Sequence, residues 1–300
     1  MLGSEAWDGG KDAVLLSDSL CKMSCLSIVV DCDARHWGEV VEREHDETVI
    51  PSLIQAIVSH TTAHMSLSAA NRFIVIGVDE TLVEPNIYAS HMSADIDMSS
   101  NLRAALRNVL KKSACLTTAT ESSLFAPAFA LAICHIHRYK SDMEGGDGRI
   151  LVINIGSDLF GEQHILMNIF FAAHKHGILI DVANIGRTAP ILQQASDITG
   201  GTYFNVKKPK QLFQYTTCFA FGNSLLRSAF PPVSLTAVDY RASCQCHGTP
   251  VSIGWVCSVC LSVHCHFIPI CPSCNTAFKI SMLPRRTRKK RRETERELVS

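Results

Sequence analysis

Seven of the chain's thirteen cysteines fall within residues 244–274, and the other six are scattered singly. No other feature limits the fold so sharply. Cys257-Ser-Val-Cys260 and Cys271-Pro-Ser-Cys274 are two Cys-x-x-Cys pairs separated by ten residues. Such a turn aims two thiolates at one point, and two turns complete a tetrahedral zinc site. A secreted disulfide scaffold would spread its pairs along the chain, so the clustering favours a reducing compartment and thiols that hold metal. A redox Cys-x-x-Cys opens a helix beside a βαβ unit, and this stretch lacks that context. Residues 241–279 cannot bury enough apolar surface to fold unaided, so they need a metal or a larger domain to dock on.

A second group of ligand types surrounds the first. Cys244-Gln-Cys246-His247 lies upstream, and His264-Cys265-His266 lies between the two pairs. In a cross-braced arrangement the first and third groups share one metal, and the second and fourth share the other. Cys244 and Cys246 then join Cys265, with or without a histidine, leaving Cys257, Cys260, Cys271 and Cys274 together. A simple zinc ribbon gives the same four, so their assignment does not depend on topology. One zinc or two stays open, because Cys-x-Cys is a less usual ligand pair. Four thiolates leave no position for water, so the expected role is structural rather than catalytic. A groove-reading finger needs a basic helix after its ligands, and Asn275-Thr-Ala-Phe-Lys279 is short and nearly uncharged. Leu261, Phe267 and Ile268 are expected to be exposed and to face another protein.

The first 230 or so residues follow a different pattern. Leu26-Ser-Ile-Val-Val-Asp31, Phe73-Ile-Val-Ile-Gly-Val-Asp79, Ile150-Leu-Val-Ile-Asn-Ile155 and Ile178-Leu-Ile-Asp-Val182 are near-continuous apolar runs, and Thr202-Tyr-Phe-Asn-Val206 is a weaker fifth. Strands covered on both faces need such runs. Helical spacing fills the gaps. Over residues 162–176, Ile165, Ile169, Phe170 and Ala173 are predicted to share a buried face, with Gly177 ending the helix after His174, Lys175 and His176. The alternation predicts an α/β fold: a doubly wound, mainly parallel sheet followed by a small C-terminal zinc-binding domain. The expected organisation is a flexible segment 1–20, the sheet domain 21–232, the cysteine-rich domain 240–280 and a basic tail 281–300. Pro231-Pro232 marks the break. No internal repeat is evident. The 47% hydrophobic content suits a buried core, and only 19% of residues are charged.

The N-terminus lacks a basic-then-apolar pattern, so no secretory signal is expected. The longest uncharged apolar run, residues 124–136, contains Pro127 and is too short to span a bilayer. Residues 285–300 hold eight Lys/Arg against three Glu, a net of +5. The rest of the chain therefore sums to −5, the formal total being zero. The run at 285–292 reads as a nuclear-import signal or a nonspecific nucleic-acid contact. It has no interleaved aromatics for stacking on bases.

Several motifs at strand ends fail on inspection. After the first strand comes Asp31-Cys-Asp33-Ala-Arg35, where Asp-x-Ser-x-Ser would offer oxygens to Mg²⁺. Arg35 places a cation there instead, and Asn154-Ile155-Gly156 puts isoleucine where a second acidic ligand would stand. No Mg²⁺ is expected, and Asp31 is expected to pair with Arg35 or cap local backbone. Gly156-Ser-Asp-Leu-Phe-Gly161 invites a phosphate reading, but Glu162-Gln163 follows in place of Lys-Ser/Thr. His60 and His64 have H-x-x-x-H spacing without the glutamate of a metalloprotease, and are expected to be partly exposed helix residues. No catalytic constellation emerges.

Taken with the degenerate strand-end site and the cysteine pattern, the stretches MNIFFAAHKHGILID (167–181), LQQASDITGG (192–201), GWVCSVC (254–260) and CNTAFK (274–279) carry a family resemblance. The α/β part resembles a von Willebrand factor A domain with an incomplete metal-ion-dependent adhesion site. From about residue 24 to 280 the chain resembles the small von Willebrand A-type core subunits of general transcription factor IIH (TFIIH), the subunit 3 family. That resemblance implies a noncatalytic nuclear scaffold in RNA polymerase II transcription initiation and nucleotide excision repair. Its expected partner is the larger subunit bearing an A domain and a zinc finger, and through it the TFIIH helicases, with any DNA contact indirect and no membrane involved. The family's zinc pattern matches Cys257, Cys260, Cys271 and Cys274. Two other readings compete: a RING-like ubiquitin ligase, and a metal-dependent protein-binding A domain.

Overall fold

Strand β1, Ser24–Asp31, buries every side chain, and β4, Asp147–Asn154, nearly so. Such strands belong at the centre of a sheet covered on both faces. In the computed structural model, which describes residues 23–79, 82, 84–91, 97–115, 124–143, 145–157, 159–221 and 238–278, they pair in parallel with each other. β2 (Arg72–Val78) flanks β1, and β5 (Leu179–Asn184) and β6 (Tyr203–Asn205) extend the sheet beyond β4, all in parallel. A short antiparallel edge strand, β3 (Asn86–Ala89), completes the order β3-β2-β1-β4-β5-β6. All five predicted strands are present. β3 was not expected, being half-buried and only four residues long.

Seven helices cover the sheet: α1 (Ala34–Glu44), α2 (Val49–Leu67), α3 (Met98–Ala114), α4 (Phe125–Asp142), α5 (Gln163–Lys175), α6 (Pro190–Thr199) and α7 (Leu212–Phe219) among the described residues. Alternate strand residues feed two cores. Val29, Ile76, Val152 and Ile180 pack with α4, α5 and α6, while Ile28, Val75, Leu151 and Ala183 pack with α1, α2, α3 and α7. This is the doubly wound, mainly parallel sheet that the alternating runs predict. Pro127 does not break α4, because it falls in the first turn, where its missing N–H has no helical partner to lose. No helix among the described residues is long and apolar enough to cross a membrane.

Two side-chain placements depart from expectation. In α5 the buried positions are Leu166, Phe170 and Ala173, while Ile165 is 45% exposed. The buried face keeps Phe170 and Ala173 and exchanges Ile165 for Leu166, a turn of about 40° around the helix. His60 and His64 are not partly exposed but sealed, at 1% and 0%. α2 is covered by α3 and α7 as well as by the sheet, so its apolar surface nearly encircles it and takes both rings inside.

Residues 238–278 form a small separate unit. A two-stranded ribbon, β7 (Trp255–Val256) with β8 (Val263–His264), is its only paired structure beyond single bridges. It docks on the helices beside β5: Ser243 N donates to Gln163 Oε1 (3.2 Å), Gln194 Nε2 to Asp239 O (2.6 Å), and the Tyr240 hydroxyl to Asp197. The segments 1–20 and 281–300, the prolines at 231–232 and the basic run 285–292 lie outside the described residues.

Candidate metal centre

One turn is built three times in the small unit. Cys257 N donates to Ser262 O (3.0 Å) while Leu261 N returns to Cys257 O (2.9 Å). Cys271 N and Thr276 O, with Asn275 N and Cys271 O, repeat this at 2.9 and 2.8 Å. Cys244 N and Thr249 O, with Gly248 N and Cys244 O, repeat it again at the same distances. In each turn the fifth residue has a positive φ: Gly248 at 66°, Leu261 at 61° and Asn275 at 56°. The sequence carries this as Cys-x-x-(Cys/His)-x-(Thr/Ser), an internal repeat too short and too variable to stand out in one dimension. The fourth position is Cys260, Cys274 or His247, so His247 stands where the other turns have their second cysteine.

Folding brings these turns into two interleaved groups. Cys257, Cys260, Cys271 and Cys274 hold their sulfurs within 4.8 Å of one another, and Cys244, Cys246, His247 and Cys265 do the same with their ligand atoms. The Cys257–Cys274 and Cys260–Cys271 sulfurs are each 3.6 Å apart. Four sulfurs around a zinc ion at about 2.3 Å stand about 3.8 Å apart, so the donor set fits a tetrahedral ion. In the other group Cys246 Sγ lies 3.5 Å from Cys265 Sγ, and His247 Nδ1 lies 3.2 Å from Cys246 Sγ and 3.4 Å from Cys265 Sγ. The four residues predicted as one ligand set do converge, and so do Cys244, Cys246 and Cys265. His247 is the histidine that joins them, while His264 lies buried behind the first group, bonded to Ser262 Oγ at 3.1 Å.

The electrostatics of the two groups favour a cation. Burial works against the Cys244 thiolate, but hydrogen bonds with Cys246 and His247 bring it down to about 5, whereas contact with Cys246 and Cys244 pushes Cys265 up to about 11. Cys271 is also buried, yet hydrogen bonding with Ser262 and the local backbone brings it to about 5. Neighbouring thiols cannot all ionise against one another, and a divalent ion at the centre removes that conflict. Hydroxyls supply a further shell: Ser262 Oγ stands 3.1 Å from Cys260 Sγ, and Thr276 Oγ1 stands 3.2 Å from Cys274 Sγ. The groups are able to hold metal, and the all-sulfur one leaves no open position.

The crevice beyond β1 and β4, where strand order reverses and such sheets bind ligands, is closed by the chain itself. Asp31 Oδ2 accepts from Gly156 N and Ser157 N (both 3.2 Å) and lies 2.9 Å from His36 Nδ1, while Oδ1 accepts from Asp33 N at 3.2 Å. Asp31 therefore pairs with His36, not with Arg35. Arg35 forks onto Asp33, which also caps α1. Helix geometry decides this, since the fork needs only two residues of separation while His36 reaches back over the strand end. Burial opposes charge on His36, but the hydrogen bond and charge of Asp31 outweigh it and raise its pKa. Ile155 is buried where a second acidic ligand would have to stand. These residues do not fit a hard cation, which needs several free oxygens. Glu162 and Gln163, which spoil the phosphate motif, are occupied structurally: Glu162 Oε2 accepts from Ala126 N at the start of α4, and Gln163 holds the small unit. Of the apolar residues expected at the surface, Leu261 and Phe267 are exposed, while Ile268 is half-buried.

A family model described as transcription factor Tfb4 matches residues 23–275. General transcription factor IIH subunit 3 of Dictyostelium discoideum is 37% identical over 162 residues, 54% of this chain and 44% of that protein. General transcription and DNA repair factor IIH subunit tfb4 of Schizosaccharomyces pombe is 28% identical over 294 residues, covering 94% of this chain and 95% of its own. The crystal structure of the TFIIH p34 N-terminal domain superposes with a TM-score of 0.54 at 24% identity, over 66% of this chain and 97% of that one, a likeness of fold. With the matched stretch running from the first strand through the last cysteine pair, the chain belongs to the transcription factor Tfb4 family.

Proposed function

We propose that this chain is a noncatalytic structural and interaction subunit of TFIIH, acting in the nucleus in RNA polymerase II transcription initiation and nucleotide excision repair. Relatives that carry TFIIH subunit names along nearly their whole length support the assignment. The observation that carries the noncatalytic part is the closed crevice, where Asp31 is spent on the chain's own hydrogen bonds. Exposed apolar side chains gather instead on the cysteine-braced unit, including Ile253, Trp255, Val256, Val259 and Ile270. Such a patch marks a protein contact. In this reading Cys257, Cys260, Cys271 and Cys274 hold one structural zinc, and Cys244, Cys246, His247 and Cys265 hold a second. The sheet domain binds the larger subunit bearing an A domain and a zinc finger, and through it the helicases. The tail at 285–292 serves import, and any DNA contact is indirect. Affinity purification of the tagged chain from nuclear extract is expected to recover that subunit and the TFIIH helicases in stoichiometric amounts. A preparation containing neither overturns the proposal.

The interleaved order of the ligand groups favours one other reading, a RING-like ubiquitin ligase. Cross-braced zinc units serve many binding roles, so the resemblance rests on architecture alone. Incubation of the zinc-loaded chain with ubiquitin, activating enzyme and a panel of conjugating enzymes decides it. No ubiquitin chains are expected, and chain formation abolished by Cys257→Ser would establish the ligase instead.

A further inference from the structure

The second face of the sheet carries a feature that neither the metal groups nor the crevice explains. Between α2, α3 and the 3-10 turn Pro209–Gln211 lies a groove of about 660 Å³. Arg103 and Arg107 of α3 line it, with Lys210 of the turn, Gln55 and Ser59 of α2, and Phe213. No carboxylate lines it among the described residues. Arg103 and Arg107 are four residues apart and so project from the same side of their helix. Arg103 Nη2 donates to Gln55 Oε1 at 2.7 Å, which holds one guanidinium across the groove. Arg107 is exposed and has no partner among the described residues. Lys210 pairs with Asp46 at the rim, and Phe213 offers a half-open apolar wall, 38% exposed.

From this geometry we infer that the groove is a docking site for an acidic segment of a partner protein. Guanidinium forks match carboxylates in shape and charge, and two of them, with Lys210 already held by Asp46, suit a segment with two acidic side chains around one apolar residue on Phe213. Charge complementarity favours a peptide over a nucleic acid. Outside its tail the chain carries a net −5, so a long polyanion meets a field of its own sign, while a short segment needs only the local cations. One aromatic wall also falls short of the series of rings on which bases stack. The inference is independent of the subunit assignment: its failure leaves that assignment to the purification described above.

The test uses the full zinc-loaded chain and a fluorescein-labelled peptide with Glu at alternate positions and a central Leu, read by anisotropy at physiological salt. The Glu peptide is expected to bind and its Gln counterpart not to. Arg107→Glu with Lys210→Glu is expected to weaken binding about tenfold or more, because like charges then face each other. Arg107→Glu alone covers the case in which loss of the Asp46 contact lowers the melting temperature of the double variant. A chain with Arg288→Ser, Lys289→Ser and Lys290→Ser is expected to keep the groove-dependent binding. The inference is overturned by failure of the Glu peptide to bind, by an affinity that the groove variants leave unchanged, or by binding lost only when the tail is altered. Tighter, groove-dependent binding of a single-stranded oligonucleotide of equal charge also overturns it, assigning the groove to nucleic acid.

Discussion

His60 and His64 sit one turn apart on α2 with a permanently charged neighbour. Burial, and then the charge of Arg149, brings each ring down to about 3, so both are neutral in the folded chain at neutral pH. Arg149 Nη2 lies 3.3 Å from His64 Nδ1, and His64 Nε2 lies 3.2 Å from Arg72 O. An unfolded chain protonates its histidines near pH 6.5, which these rings resist. Their neutral burial is therefore harmless above about pH 6.5. As pH falls from there toward 3, each ring costs on the order of 1.4 kcal/mol per unit. We expect the urea midpoint of the full chain to fall steeply between pH 6.5 and 4.5, and His60→Leu to flatten that fall. An unchanged slope in the variant would show that His60 is not held neutral. Spacing alone exposed these histidines to misreading, because an i, i+4 pair marks a face without saying what covers it. The cover comes from Arg149 beside His64 and Phe221 against His60, contacts far away along the chain.

At the scale of the element, the repeated turn explains what the sequence showed plainly and what it hid. Central strands such as β1 and β4 were legible because continuous apolar runs have no other soluble use. β3, β7 and β8 were not, since two to four mixed residues pair only when a neighbour is already in place. The four-thiolate group was legible from spacing. His247 was hidden because Cys246 beside it drew the eye to a Cys-x-Cys pair, although aligning Cys244–Thr249 on the two later turns places the imidazole on a ligand position. The positive φ of Gly248 belongs to the same pattern, and a Cβ there costs about 1 kcal/mol. Elemental analysis of the purified chain is expected to give two zinc ions. His247→Ala is expected to reduce this to one while Cys257–Cys274 stays loaded, and two ions in that variant would remove His247 from the ligand set.

For the whole molecule, the two parts draw stability from different sources. The sheet domain has two apolar cores, whereas the small unit has its braces and a few hydrogen bonds to α5 and α6. Cys274→Ser is therefore expected to abolish amide protection across residues 241–278 while β1, β2, β4 and β5 exchange as slowly as in the parent. Hydrogen exchange resolves the two parts, and retained protection in the small unit would mean that docking alone suffices to fold it. The doubly wound architecture was readable from alternating runs, but the docking was not, because Gln163 and Ser243 lie eighty positions apart. The interleaving of the two ligand groups also sets an order of events during synthesis. Cys244, Cys246 and His247 leave the ribosome first but wait for Cys265, by which time Cys257 and Cys260 have emerged and await Cys271 and Cys274. A message cut short before Cys265 completes neither group and yields only a loose thiol-rich end for quality control to find.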